Sequence, residues 1–304
     1  MDSVWHTSLL LSLAVHGVPP WLVKIFSSYL LNRSFTVFFE GCYSSPRAAE
    51  TGVPQGSHLG PALFDVFLSN LHEVPRVTPW AYADDPAFTT VTTTAHGRLQ
   101  RLMNLLGPWT NSKKLSLNIQ KCAVLKTGLQ SPIPVNVHGY NIPQVTRHIY
   151  LGLPVTPYMR YSTVILHRAE KVRQLVPWAK RISRYVTSPE MAVSLYRTYV
   201  QPVPEYCAPL ISLAPRYYLR RLDTACLIVL TVLLNISIRS RNTQLLGELG
   251  LPRPRERLFL MADKFHHKTI NSPDAALVRL LQQPHNRQGR RGPGPLLRLL
   301  HDPR

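Results

Sequence analysis

Two adjacent carboxylates, Asp84 and Asp85, follow an aromatic and a small residue in the tetrapeptide Tyr82-Ala83-Asp84-Asp85. Pro79 precedes them and the β-prone run Phe88-Thr89-Thr90-Val91 comes after. Apolar, β-prone residues on both sides of a polar pair predict a tight hairpin with the Asp pair at its tip. From such a tip a carboxylate can hold a divalent cation while the backbone stays fixed. Magnesium takes hard oxygen ligands, commonly one or two protein carboxylates, and completes its shell with water and substrate phosphates. That chemistry serves phosphoryl transfer, in which metal ions stabilise the attacking and the leaving oxygen. An Asp-Asp pair alone, however, is more often a solvated turn, so the surrounding residues decide.

Upstream lies Gly52-Val53-Pro54-Gln55-Gly56-Ser57-His58-Leu59-Gly60-Pro61, a glycine-punctuated loop ahead of an apolar stretch. Glycine there permits positive φ and close approach of the backbone to a bulky partner. Downstream come Asn118-Ile119-Gln120-Lys121 and Tyr150-Leu151-Gly152. In this order and spacing the motifs resemble the reverse transcriptases of non-LTR (LINE-type) retrotransposons, particularly jockey-like arthropod elements. The N-terminal Asp-x-Val-Trp-His and the later Tyr-Leu-x-Asn-Arg are similar to the same family.

The resemblance implies an α+β fold: a partial right-hand polymerase palm, an antiparallel sheet with helices, followed by a helical thumb-like domain. It implies RNA-directed DNA polymerase chemistry, that is, two-metal nucleotidyl transfer onto a primer 3′ end. Asp84 and Asp85 are then catalytic residues and ligands of Mg²⁺ or Mn²⁺. Gln55, Gly56, Ser57 and Tyr82 lie beside the templating base and incoming nucleotide. Lys121 sits near the departing pyrophosphate, where a basic group can neutralise or protonate the leaving group; a solvated lysine is the competing reading. Tyr150, Leu151 and Gly152 support the primer end, or are simple core. The implied partners are an RNA template, a DNA primer and deoxynucleoside triphosphates.

These residues need a scaffold. Apolar spacing predicts helices over 2–16 and 21–32, β structure at 34–40 and 47–51, and a helix over 62–71 with Pro61 in its first turn. An amphipathic helix is expected over 98–114, with strands at 123–126, 135–137 and 148–153. From Tyr161 the period is helical, with helices over 162–185, 189–208, 216–234, 243–249 and 255–270. The domains expected are 1–155 (palm), 156–283 (thumb-like) and 284–304 (a basic disordered tail).

The 304 residues carry a formal charge of +19, with 27 prolines and 45% hydrophobic residues. Residues 156–304 hold 24 Lys and Arg against 9 Asp and Glu. A basic half beside a near-neutral half suits a polyanion partner, although drift towards arginine in a decaying element would leave the same bias. Arg168, Arg173, Lys180, Arg181 and Arg184 are the candidates to track a primer–template backbone, through contacts that are strongly salt-dependent. For any one of them a solvated helix face is the plainer reading. Four scattered cysteines without a Cys-x-x-Cys pair indicate neither a disulfide framework nor a zinc knuckle. The apolar run 9–15 has Asp2 and His6 where a leader carries a basic region, and 225–238 is too short and too polar to span a membrane. The expectation is a soluble intracellular protein, nuclear or cytoplasmic.

Two departures from the family bear on activity. The family's catalytic Asp precedes a second Asp by six positions; Asp2 matches the second, so the first would fall before Met1, along with the fingers. Two-metal chemistry draws carboxylates from both strands, and electrostatic stabilisation of the transferring phosphoryl is most of the catalysis. Little or no polymerase activity is therefore expected of this chain alone, the alternatives being a non-catalytic nucleic-acid-binding remnant or a fragment that does not fold. Pro86 is the second departure: it removes a backbone donor where the return strand is expected to pair.

Overall fold

The alternation of apolar runs with proline- and glycine-marked breaks produces short elements. The computed structural model describes residues 1–272 apart from 70, 72, 92–93, 127–133, 159 and 238. The tail expected at 284–304, and the end of the region expected to be thumb-like from 273, lie outside the described residues. The chain divides into two units, Met1–Leu151 and Gly152–Arg304, so the division falls four residues ahead of the expected boundary.

In the first unit α1 (His6–Val15) and α2 (Pro20–Leu30) are separated by Gly17 and Pro19, as the sequence suggests. Next come β1 (Ser34–Phe35), β2 (Phe38–Phe39), β3 (Cys42–Tyr43) and β4 (Arg47–Ala48), and then α3 (Leu59–Leu68). The ribbon β5 (Val77–Tyr82) and β6 (Asp85–Thr90) leads to α4 (Ala95–Ser112), β7 (Val135–Val137), β8 (Tyr140–Ile142) and β9 (His148–Tyr150). The antiparallel partners within this unit are β1 with β4, β2 with β3, β5 with β6 and β7 with β8. Among the described residues the strands associate in twos, as small antiparallel sheets beside the helices. The strand expected at 123–126 is reduced to one bridge, Val124 with Gln144.

Two apolar clusters hold this unit together. Val4, Leu9, Leu13, Leu30, Val53, Leu63, Phe64 and Phe67 join α1, α2 and α3. Leu102, Met103 and Leu106 of α4 pack with Val74, Val135 and Val137, and Val77 and Phe88 of the ribbon lean on that cluster. Lys113, at the end of α4, is buried: its Nζ donates to Ser12 Oγ at 2.6 Å and lies 4.8 Å from the centre of the Phe67 ring. Burial lowers its pKa.

The second unit opens with β10 (Leu153–Val155) and is otherwise helical: α5 (Tyr161–Arg173), α6 (Val176–Ser183), α7 (Pro189–Leu195), α8 (Pro202–Glu205), α9 (Ala208–Ile211), α10 (Arg216–Leu233), α11 (Asn242–Glu248) and α12 (Pro254–Ile270). Its core is centred on α10, where Leu219, Leu222, Cys226, Val229, Leu230 and Leu233 are buried against α5 and its neighbours. The single helix expected over 162–185 is broken at Gln174-Leu175. Pro177 lacks the N–H a continuous helix would use and disfavours helical geometry in the residue before it. The helix expected over 189–208 likewise passes into a wide turn at Tyr196–Val200, where the Gln201 N–H donates to Tyr196 O at 2.9 Å. Pro202 and Pro204 supply no donors to continue it. No described helix is long and apolar enough to cross a membrane.

Candidate active site

The register of the ribbon fixes what its tip presents. Tyr82 pairs with Asp85 and closes a two-residue turn of Ala83 and Asp84, with Ala83 in the left-handed region at φ 50°. Such a hairpin is closed by a hydrogen-bonded pair, and bonded and non-bonded pairs then alternate. Ala81–Pro86 and Pro79–Phe88 are thus non-bonded pairs, and both proline nitrogens face the outer edges of the ribbon. This corrects the expectation for Pro86: the missing donor is one the β5–β6 ladder never uses. The hairpin forms with the Asp pair at its tip, as the sequence suggests.

Strand alternation separates two faces. Val77 and Phe88 turn towards α4, while Trp80, Tyr82 and Asp85 share the opposite face. Trp80 and Tyr82 are exposed, and the Trp80 indole N–H donates to Thr89 Oγ1 at 2.8 Å. Asp84 and Asp85 are also exposed, and among the described residues neither is in an ion pair. The Tyr150 hydroxyl donates to the Asp85 backbone carbonyl at 3.1 Å. Its pKa is raised by partial burial and then by the Asp85 charge.

The 52–60 loop is built against the N-terminal segment. Gly52 N–H donates to Val4 O at 2.8 Å, His6 Nε2–H donates to Gly52 O at 2.8 Å, and Thr51 Oγ1 donates to Asp2 O at 3.0 Å. Gly52 has φ 88°, and a Cβ there would lie 2.9 Å from Asp2 O; only glycine satisfies both conditions. Gln55 is exposed and donates through Nε2 to Asp2 Oδ1 at 2.7 Å. Gly56 is exposed as well. Ser57 is half-buried and its hydroxyl is engaged within the loop, donating to Pro54 O at 2.8 Å and accepting from Gly60 N–H at 2.9 Å just as α3 begins. Among the described residues no hydrogen bond joins this loop to the Asp84-Asp85 tip. Lys121 is exposed and ends a short 3₁₀ turn, Ile119–Lys121.

Leu151 and Gly152, between β9 and β10, are both left-handed, at φ 47° and 70°. Arg168, expected to face a nucleic-acid backbone, is instead only 8% exposed. Its Nη2 donates to Gly152 O at 2.9 Å, and its guanidinium lies 4.4 Å from the centre of the Tyr206 ring. A planar guanidinium can lie flat on a ring while donating in its own plane to a carbonyl, and it is more weakly hydrated than an ammonium, so it tolerates burial. Arg173, Lys180, Arg181 and Arg184 are exposed on α5, on α6 and just after it, and Arg173 pairs with Glu170 at 3.6 Å. Asp2, His6 and the Tyr150 hydroxyl were not recognised as structural partners of the site. Their contacts span 46 to 65 positions in sequence, and no local pattern encodes them.

The site thus offers an exposed carboxylate pair on a braced ribbon, aromatic rings on the same face, and a separate loop with an ordered amide. The chain is similar to several mobile-element proteins. The jockey mobile-element RNA-directed DNA polymerase of Drosophila funebris is 27% identical over 299 residues, covering 92% of this chain and 32% of that protein. Its Drosophila melanogaster counterpart is 26% identical over 296 residues, with the same coverage. The probable RNA-directed DNA polymerase from transposon BS of Drosophila melanogaster is 32% identical over 176 residues, 53% of this chain and 19% of that protein. The chain spans about a third of the length of the jockey relatives. The family model for reverse transcriptase (RNA-dependent DNA polymerase) matches residues 1–155, which include the Asp84-Asp85 hairpin, the 52–60 loop and the Tyr150-Leu151-Gly152 turn. The chain belongs to the reverse transcriptase family.

Proposed function

We propose that this chain is the palm and thumb part of a retrotransposon RNA-directed DNA polymerase, with a site arranged for nucleotidyl transfer to a primer 3′ end. The observation that carries the reading is the exposed Asp84-Asp85 pair where a two-residue hairpin turn meets its return strand, inside the family match. The donor set fits one divalent cation delivered with a triphosphate, since Mg²⁺ needs only one or two protein carboxylates when phosphates and water complete its shell. When bound, such an ion stabilises negative charge on the oxygens of the transferring phosphoryl.

The protein's own part is positional. Asp84 and Asp85 hold the cation from a turn braced by Tyr150. Tyr82, on the open face of the ribbon, packs against the primer end or the incoming nucleotide. Gln55 and Gly56 meet the nucleotide and templating base, with Ser57 shaping the loop around them. Lys121 neutralises the departing pyrophosphate. The Tyr150-Leu151-Gly152 turn supports the primer end, while Arg173, Lys180, Arg181 and Arg184 follow the primer–template backbone. Arg168 supports the turn at Gly152 rather than the nucleic acid.

A second reading, nucleic-acid binding without synthesis, is favoured by one observation: residues 156–304 hold 24 Lys and Arg against 9 Asp and Glu, a basic excess that serves binding to a polyanion whether or not synthesis follows. Purified chain incubated with an RNA template, DNA primer, deoxynucleotides and Mg²⁺ tests both readings. Salt-sensitive binding without extension supports the second. Extension abolished by Asp84→Asn establishes the enzyme. Absence of salt-sensitive binding overturns both.

A further inference from the structure

We propose that Asp2 is a positioning residue that fixes the amide of Gln55 for the nucleoside end of an incoming triphosphate; this deepens the function proposed above and rests on it. The carboxylate of Asp2 accepts from Gln55 Nε2 at 2.7 Å across 53 positions of sequence. An ionised carboxylate has acceptors only. It therefore admits one of the two amide orientations, with the NH₂ group on Asp2 and the carbonyl Oε1 turned away from it. A glutamine in a glycine-rich loop would otherwise sample both orientations and several rotamers, and ordering such a side chain costs up to about 2 kcal/mol.

Asp2 is itself anchored. Thr51 donates to its carbonyl, and Gly52 lies so close that a Cβ would meet its backbone at 2.9 Å. The Gly52 N–H and carbonyl are held by Val4 and His6. The loop and the N-terminal segment thus brace each other on both sides of the residue that orients Gln55.

The chemistry of the pair also selects the ligand. Gln55 uses one amide N–H on Asp2 and keeps Oε1 and its second N–H for a ligand, so it suits a group that can both donate and accept, such as a hydroxyl or a base edge. The Asp2 charge beside it disfavours a phosphate. Gln55 therefore meets the sugar or base of the nucleotide, and the triphosphate lies elsewhere. Asp2 touches no reacting atom and acts only through Gln55.

The test is a double-mutant cycle on the full chain. It reads binding of dATP in the presence of Mg²⁺ to a complex with an RNA template and a primer lacking its 3′ hydroxyl. Asp2→Ala and Gln55→Ala should each weaken dATP about tenfold, the scale of a hydrogen bond to a charged group. The double variant should be no weaker than Gln55→Ala, because the two act as one unit. Asp2→Asn keeps an acceptor of the same shape and should recover most of the affinity, which separates orientation of Gln55 from folding of the loop. The side-chain amide signal of Gln55 in ¹⁵N-glutamine-labelled protein should also shift in Asp2→Ala without nucleotide. Additive losses, or an amide signal that does not move, overturn the role of Asp2 and leave the polymerase reading intact. If Gln55→Ala binds dATP like the unmutated chain, or the unmutated chain does not bind it, the nucleotide role of the loop fails and this inference with it.

Discussion

The Tyr150 hydroxyl and the Asp85 carbonyl, 65 positions apart in sequence, are joined by a 3.1 Å hydrogen bond. The bond ties the residue preceding the Leu151-Gly152 turn to the first residue of the return strand of the Asp-Asp ribbon. It involves the backbone of Asp85, leaving both carboxylate oxygens of that residue for other work.

Tyr150→Phe keeps the ring and removes only this bond. A neutral hydrogen bond contributes about 0.5–1.5 kcal/mol, so Mn²⁺ binding at the tip, followed by electron paramagnetic resonance, should weaken roughly three- to tenfold. Global stability in urea should change by less than about 1.5 kcal/mol. Unchanged Mn²⁺ affinity would show that the bond does not brace the carboxylates.

Arg168 joins a carbonyl to an aromatic ring inside the second unit. Its removal costs a charge-assisted hydrogen bond of about 1.5–3 kcal/mol and a cation–π contact of about 0.5–2 kcal/mol. Arg168→Ala should lower the urea midpoint accordingly. Arg168→Lys should recover only part of the loss, since an ammonium cannot stack and donate in the same plane. If lysine restores full stability, charge alone was required.

Gly52→Ala places a methyl 2.9 Å from the Asp2 carbonyl at a backbone φ of 88°. Strain of this kind is worth on the order of 1–3 kcal/mol. The variant should be less stable by about that amount in urea, and in labelled protein its Gln55 amide signal should move with the displaced Asp2. An equally stable variant with an unshifted amide would mean that the N-terminal segment yields at no cost.

Asp223 is buried on α10, where it accepts the Arg255 N–H at 2.9 Å and faces the Arg255 guanidinium at 3.7 Å. Burial raises its pKa above the ordinary 3.8, and the Arg255 N–H and charge offset part of that rise. Between the unfolded and folded values the native state binds more protons, so the contribution of Asp223 to stability falls as pH rises through that window and is constant above it. Relative to Asp223→Asn, which keeps the acceptor, the unmutated chain should lose stability as pH climbs from about 4. Urea unfolding of the two at several pH values should show a sloping difference; a flat one would mean an unshifted carboxyl.

The thiols should separate cleanly. Cys42 is exposed, Cys122 half-buried with its pKa raised by burial, and Cys207 and Cys226 are buried with thiol pKa values raised chiefly by burial. Because the thiolate is the nucleophile, an aromatic disulfide reagent should label Cys42 fast and Cys122 slowly. The other two should react only after denaturant is added. Fast native labelling of Cys226 would contradict the packing of α10.

Much of this was legible in the sequence where local chemistry determines geometry. The Asp pair took the hairpin tip because β-prone residues flank a two-residue turn, and α10 and α12 followed their apolar period to within a residue or two of the expected ends. Three things were not legible, each because a partner distant in sequence decides it. Arg168 reads as one more basic residue on a helix until Tyr206 and Gly152 are brought to it. Gln55 reads as a free amide until Asp2 is beside it. The consequence of Pro86 depends on register parity: one position along, the same proline would have broken the ladder. The long helices over 162–185 and 189–208 were overextended because helical apolar spacing continued through Pro177, Pro202 and Pro204.

The outward-facing nitrogens of Pro79 and Pro86 have a consequence for how the ribbon behaves in a crowded solution. An uncovered strand edge next to Trp80 and Tyr82 is a template on which other chains can add. Each edge of this ribbon carries a proline that cannot donate to an arriving strand, so growth of a cross-β stack is interrupted on both sides, beside the tip at Pro86 and in mid-strand at Pro79. The residue that looked like damage to the hairpin thereby guards it against self-assembly.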